Sequence, residues 1–166
     1  MIQLAPMTEA EFASFLERAI PRRAARYVDR GVWKEAAAIE ASREFYSRTW
    51  PQGRATPHHH FCHILAGPER TRVGELWYTA ECEGGLVQFW IEWIWIEPEY
   101  RRQGFATEGL RLVEEEARKL GAPRVGLDVW LDNPAALDLY KKLGYSAVSL
   151  SMGKSLDPAG GAGPPG

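Results

Sequence analysis

The residues with the clearest chemical potential form a short basic turn, Arg101-Arg102-Gln103-Gly104-Phe105-Ala106-Thr107. A strand-like run rich in aromatic and β-branched residues, Ile91 to Ile96, precedes it and is stopped by Pro98. A helical recurrence of Leu110, Val113, Ala117 and Leu120 follows it, with Thr107 as the expected N-cap and Gly121 and Pro123 as the stop. A glycine-containing turn that opens a helix aims consecutive backbone N–H groups and the positive end of the helix dipole at one point, which is the physics of an anion site. Gly104 lets the backbone approach a ligand closely, and Arg101 and Arg102 add charge. A phosphate-bearing cofactor is the first hypothesis.

The elements that must position this turn can be read in chain order. Ile2 to Leu4 is a short strand, and Thr8 with Glu11 makes a capping box for a helix to about Ala19. Pro21 starts a second, basic helix that includes Arg22, Arg23 and Arg26 and stops at Gly31. A third helix, from about Lys34 to Arg48, carries Ala37, Ala38, Ala41 and Phe45 on one side. From Thr56 the pattern changes to an antiparallel meander with strands at Phe61 to Leu65, Val73 to Ala80 and Val87 to Ile96, turning at Gly67-Pro68 and Gly84-Gly85. After the central helix come a strand from Arg124 to Trp130, a helix from Pro134 to Leu143, and a strand pair from Tyr145 to Leu156.

The strand ending at Ile96, the helix after it and the strand from Arg124 form a β-α-β unit, so those two strands must be parallel. The fold class is therefore α/β with a mixed sheet, an antiparallel meander followed by a parallel pair, in one domain over residues 1–156. The Pro- and Gly-rich residues 157–166 read as a disordered tail. The change of strand direction lies beside the anion turn, where a ligand crevice is expected in such sheets.

Composition excludes several classes. A formal net charge of −2 gives no general attraction to nucleic acid, and no apolar run approaches the roughly 20 residues of a membrane span. Cys62 and Cys82 have no CxxC spacing and no leader-like N-terminus is evident, so a cytoplasmic protein with reduced thiols is expected. Seven tryptophans, three of them at 90, 93 and 95, imply a core, a subunit contact in a homodimer, or a stacked ligand.

Two phosphate loops compete for the basic turn. Gly104-x-Ala106-x-x-Gly109 loosely matches a dinucleotide fingerprint, with Asp128 at about the distance of its ribose-binding acid, but its first glycine should follow the strand directly. A nucleoside triphosphate loop would need Gly-Lys-Ser or Gly-Lys-Thr, which is missing. A better match covers roughly Val73 to Leu156. Ile96-Glu97-Pro98-Glu99-Tyr100-Arg101-Arg102-Gln103-Gly104-Phe105-Ala106 resembles the acyl-CoA motif of the Gcn5-related N-acetyltransferases. Leu127-Asp128-Val129 with Asn133-Pro134-Ala135-Ala136-Leu137-Asp138-Leu139-Tyr140-Lys141-Lys142-Leu143-Gly144-Tyr145 resembles the family's second block, and Met152 to Leu156 its common ending. Trp33 and the run Thr56-Pro57-His58-His59-His60 are similar to a bacterial branch whose acceptors are largely undefined.

The resemblance implies acetyl-CoA as cosubstrate and direct transfer to a primary amine, on a small molecule or a peptide, in a ternary complex. It implies that the N–H groups of Gln103, Gly104, Phe105, Ala106 and Thr107 hold the CoA pyrophosphate, flanked by Arg101 and Arg102. Pantetheine would pair with the backbone near Ile94 and Ile96, where the parallel strands splay. Tyr140 occupies the position of the acid that reprotonates the departing thiolate, and Glu92 is the candidate base. Some relatives carry an acid one position later, where this chain has Trp93. Glu92 shares a face with Ile94 and Ile96 only if no bulge intervenes. Asn133 would contact the cofactor or cap the helix at Pro134.

Other residues carry weaker signals. His58 and His60 alternate against His59, and His63 has the wrong parity to complete a metal site with the first two, so no metal is assigned. That run reads as structural or surface, with acceptor lining as the alternative. Arg22, Arg23 and Arg26 read as a solvated helix face or as a binding patch for an acidic acceptor. A cysteine-based ping-pong route is the mechanistic rival. A non-catalytic acyl-CoA module and a nucleotide-dependent oxidoreductase are the functional ones.

Overall fold

The aromatic strand and the helix after the basic turn both form, the helix with the buried period the sequence shows. A computed structural model describes residues 2–153, with β1 Ile2–Pro6, α1 Glu9–Asp29, α2 Glu35–Thr49, β2 His59–Ala66, β3 Thr71–Glu83, β4 Leu86–Ile96, α3 Phe105–Lys119, β5 Val125–Leu127 and α4 Pro134–Lys142. These residues group into two compact units, one of 2–8 and 54–146, the other of 9–53 and 147–153.

The first unit is built on a sheet of order β1-β2-β3-β4-β5. β1 to β4 pair antiparallel, and β4 pairs parallel with β5, so the sheet is mixed as the β-α-β reading requires. Residues that alternate along the strands, Cys62, Ile64, Leu76, Tyr78, Phe89 and Ile91, form a core with Leu110, Val113 and Ala117 of α3. Leu110 and Val113 are fully buried, and truncating either would cost about 2–5 kcal/mol for a leucine and less for a valine. A Cβ on Gly109 would come 3.4 Å from the Ile64 side chain, so this glycine serves the close approach of α3 to the sheet.

The second unit pairs α1 with α2. Phe12, Phe15 and Ala19 on α1 and Ala38, Ser42 and Tyr46 on α2 are buried, and Phe12, Phe15 and Tyr46 pack on Trp50. The Arg23 guanidinium lies 3.4 Å from the Phe45 ring centre and 4.5 Å from that of Tyr27, to whose hydroxyl it donates a hydrogen bond. Desolvation, then the neighbouring Arg30, lowers the pKa of Arg26. Arg22, Arg23 and Arg26 are half-buried, so the reading of a fully solvated basic face is corrected.

Several boundaries differ from the sequence expectation. The two helices expected on either side of Pro21 are one, with Pro21 inside it. A proline removes one backbone hydrogen bond, and the continuous buried face through Phe12, Phe15, Ala19 and Ala24 outweighs that loss. The stripe of α2 falls on Ala38, Ser42 and Tyr46 rather than on Ala37, because the Ser42 hydroxyl finds the Ile20 carbonyl at 2.9 Å. Thr107 is not the cap of α3; the cap is Gly104, and Thr107 lies in the first turn. β5 ends at Leu127, short of Trp130. No strand forms over 145–153, and the rest of the expected final pair, with the tail from 157, lies outside the described residues.

Candidate functional site

Two features of β4 define the candidate site. The first is a bulge. Trp77 pairs with Trp93 and Tyr78 with Ile91, so Glu92 is the extra residue on β4. Alternation is broken there: Ile91 and Ile94 both pack toward the core under α3, and Glu92 is not carried onto the face of Ile94 and Ile96. The second feature is where the parallel ladder stops. Phe89, Trp90 and Ile91 pair with Val125, Gly126 and Leu127, and the five residues of β4 beyond Ile91 have no rung with β5. The strands part at Glu92.

Gly126 makes the last rungs possible. A Cβ there would overlap the ring of Trp90, so only a glycine lets the indole lie across β5. Gly74 does the same on the other side of β4, where a Cβ would collide with the Trp95 carbonyl.

Solvent reaches Glu92, yet desolvation of its carboxyl raises its pKa to about 7, with Asp128 and then Glu81 adding to the rise. Burial disfavours a charged carboxylate and neighbouring anions disfavour it further. Asp128 directly follows Leu127, the last paired residue of β5.

At the end of β4 the chain passes through a 3-10 turn, Pro98–Tyr100, into the basic turn. The Arg101 Nε donates to the Ile96 carbonyl at 3.0 Å, and its guanidinium lies 4.6 Å from the Trp95 ring centre. Arg101 therefore braces the corner between strand and turn. Gln103 Nε2 donates to the Glu99 carbonyl at 3.2 Å. Arg102 is exposed and left-handed, with φ 63°, and Gly104 is left-handed with φ 85°. A side chain at Gly104 would meet nothing within 4 Å, so the space before the helix is open. Glu108 N–H gives the first bond of α3, to the Gly104 carbonyl at 3.0 Å, so the N–H groups of Phe105, Ala106 and Thr107 precede the helical ladder.

On α4, Tyr140 is half-buried against the core, edge-on to Tyr145 with ring centres 5.8 Å apart. Desolvation raises its phenol pKa. Asn133 Oδ1 accepts from Ala136 N at 3.3 Å, which is the capping role.

The remaining candidates do other work. His59 Nδ1 accepts from the Trp77 indole at 2.9 Å, His60 stacks on Tyr78 at 4.7 Å, and His58 is exposed at a left-handed position. Cys62 is buried, and desolvation, then Glu116, raises its thiol pKa to about 12, which disfavours the thiolate a ping-pong route needs. Two concavities on the helix pair, of about 500 and about 220 Å³, are lined by none of the residues read as a catalytic or cofactor site. No group of three or more acidic, histidine or cysteine side chains suited to a metal occurs among the described residues, and no helix among them is long and apolar enough to cross a membrane. Gly126 draws no attention in the sequence, Asp128 reads there only as a dinucleotide-type acid and Trp95 only as one of three clustered tryptophans; their places beside Glu92 and the basic turn depend on strand register and on the bulge.

The chain as a whole has counterparts among known proteins. Residues 29–145 match the model described as the acetyltransferase (GNAT) family. The chain is 33% identical to the uncharacterized N-acetyltransferase YdgE of Bacillus subtilis over 92% of its length and 97% of that protein's. It is 31% identical to YycN of Bacillus subtilis, an uncharacterized N-acetyltransferase whose crystal structure superposes with a TM-score of 0.86 over 94% of this chain and 99% of that one. It is also 30% identical to the N-terminal acetyltransferase B complex catalytic subunit NAA20 of Arabidopsis thaliana, over 60% of this chain and 53% of that protein. With its mixed sheet, β-α-β unit and these matches, the chain belongs to the GNAT family of acetyltransferases.

Proposed function

We propose that the protein is an N-acetyltransferase that moves the acetyl group of acetyl-CoA to a primary amine by direct attack. The observation that carries this reading is the end of the β4–β5 ladder at Ile91 and Leu127, immediately before the bulge at Glu92 and one short segment from the left-handed turn that opens α3. The donor fits these residues: the open space at Gly104 leaves room for phosphates against the N–H groups of Phe105, Ala106 and Thr107, and Arg102 contributes charge from the rim. Beyond the last β4–β5 rung, the side of β4 at Ile94 that faces away from β3 gives pantetheine a strand edge to join.

Acetyl-CoA supplies a thioester. Glu92 takes one proton from the ammonium of the acceptor, directly or through water, which frees the nitrogen lone pair. That pair forms the new C–N bond as the C–S bond breaks, and Tyr140 gives its phenolic proton to the leaving thiolate. The second nitrogen proton, lost as the amide forms, passes through water to the Tyr140 phenolate while Glu92 releases its proton to solvent. A carboxyl with its pKa at about 7 is suited to accept a proton near neutrality, and a phenol whose pKa burial raises keeps its proton until the thiolate forms. The acceptor is a small-molecule or peptide amine.

Titrating the protein with acetyl-CoA by calorimetry, then following free-thiol release over a panel of small amines and peptide N-termini, tests the reading. Binding with turnover on at least one amine is expected. Binding without turnover on any amine would leave an acyl-CoA-binding module, and NAD binding without acetyl-CoA binding would point to an oxidoreductase.

A further inference from the structure

The bulge places one acidic residue at the parting of β4 and β5, and the ladder brings a second beside it. The last rung joins Ile91 to Leu127 in parallel register, so the next residues on the two chains are Glu92 and Asp128. Each lies one residue past the last hydrogen-bonded rung, so the two carboxylates flank the point where the strands part and the Asp128 charge acts on Glu92 across it. Neither is inside the core: both are exposed.

We propose that Asp128 is a positioning residue for the reaction, acting through Glu92 by setting a second negative charge beside it where the strands part. It need not touch the acceptor or the donor. Its charge makes the Glu92 carboxylate a stronger base than an isolated glutamate, so that Glu92 can hold the proton it takes from the amine. This inference rests on the reading of Glu92 as the base.

The charged groups around β4 limit the alternatives. Those acting on Glu92 are Asp128 and, from β3, Glu81, with Asp128 the stronger. On α3, Glu116 accepts a hydrogen bond from Tyr78 and Glu114 accepts one from Tyr145 and pairs with Arg118. On α4, Tyr140 is neutral at these pH values because burial raises its pKa. Asp128 therefore has the largest electrostatic influence on the base, and it comes from the neighbouring strand rather than from the base's own.

The test reads the glutamate directly and needs no acceptor. In the full chain labelled with ¹³C at glutamate carboxyls, one resonance absent from Glu92→Gln should titrate near pH 7 in the wild type. Asp128→Asn should move that titration down by about one pH unit, and Asp128→Ala should move it in the same direction. Glu81→Gln should move it less. An unmoved titration in both Asp128 variants, or a larger displacement in Glu81→Gln, would overturn the proposal. Amine turnover by Glu92→Gln is measured separately: turnover equal to wild type removes Glu92 as the base, whatever the titration shows, so the two readings fail by different results.

Discussion

Replacing Gly126 by alanine should weaken the protein through a single steric conflict. The backbone at this position is not left-handed, so no conformational strain is involved, and an alanine in a strand would otherwise be worth about 0.5–1 kcal/mol over glycine. The added Cβ, however, would overlap ring atoms of Trp90, the residue that forms a rung with Gly126. Overpacking costs about 1–3 kcal/mol, and direct overlap with ring atoms places this case at about 2–3 kcal/mol, which leaves a net loss of roughly 1–2.5 kcal/mol. For a chain of 166 residues that corresponds to a fall in Tm of about 2–10 °C. Thermal and urea unfolding measure the loss, and Trp90→Leu in the Gly126→Ala background should recover about 1 kcal/mol relative to the sum of the single changes. A Gly126→Ala variant at least as stable as wild type, or strict additivity with Trp90→Leu, would refute the reasoning. The overlap lies one rung before the strands part, so the affinity for acetyl-CoA should fall along with the stability.

Arg102→Glu should weaken acetyl-CoA binding tenfold or more by calorimetry, whereas Arg101→Ala, which loses a brace to Ile96 and Trp95, should lower Tm with a smaller effect on affinity. Equal effects of the two on affinity would remove that division of labour. Tyr140→Phe should reduce kcat about tenfold or more while leaving acetyl-CoA affinity within a factor of about two, and an unchanged kcat would exclude the phenol from the reaction. Because the pKa of Glu92 is raised from 4.5 to about 7 on folding, the folded state holds the extra proton between those values, and this group's contribution to stability declines as pH rises through that window. Glu92→Gln should therefore be more stable than wild type at pH 8 by about 1 kcal/mol, a figure reduced for solvent access to the carboxyl, and the difference should vanish below about pH 4.5. A constant difference across that range in urea unfolding would show that the carboxyl does not titrate there.

How much of this was legible in the sequence depends on the kind of pattern. The alternation of Phe89, Ile91 and their neighbours, the period of Leu110, Val113 and Ala117, and the glycine turns fixed the order of the elements and the mixed sheet, because each is a local consequence of burial on one face. The basic turn was legible for the same reason: Gly104 marks a left-handed position wherever it folds. Thr107 was misread as the cap because a threonine before an apolar run is a common helix start, and here the glycine three residues earlier already ends the turn. The geometry around Glu92 was out of reach. Its neighbours are decided by one inserted residue on β4 and by the register of β5, and both are set by packing between segments distant in the chain, such as Trp90 against Gly126. The single helix through Pro21 was missed because local propensity argued for a break that tertiary burial overrode.

The bonds from Arg101 to Ile96 and from Gln103 to Glu99 have a thermodynamic consequence for the ligand. Arg101 is tied to the carbonyl of the last β4 residue and Gln103 to one in the short turn after it, so the segment that presents the backbone N–H groups at the start of α3 is braced before any phosphate arrives. Little ordering entropy remains to be lost on binding, and the gain from each N–H contact is retained in the affinity. Gln103→Gly should therefore weaken the site even though the lost side chain points at a backbone carbonyl, and the deficit should appear mainly as a less favourable binding entropy.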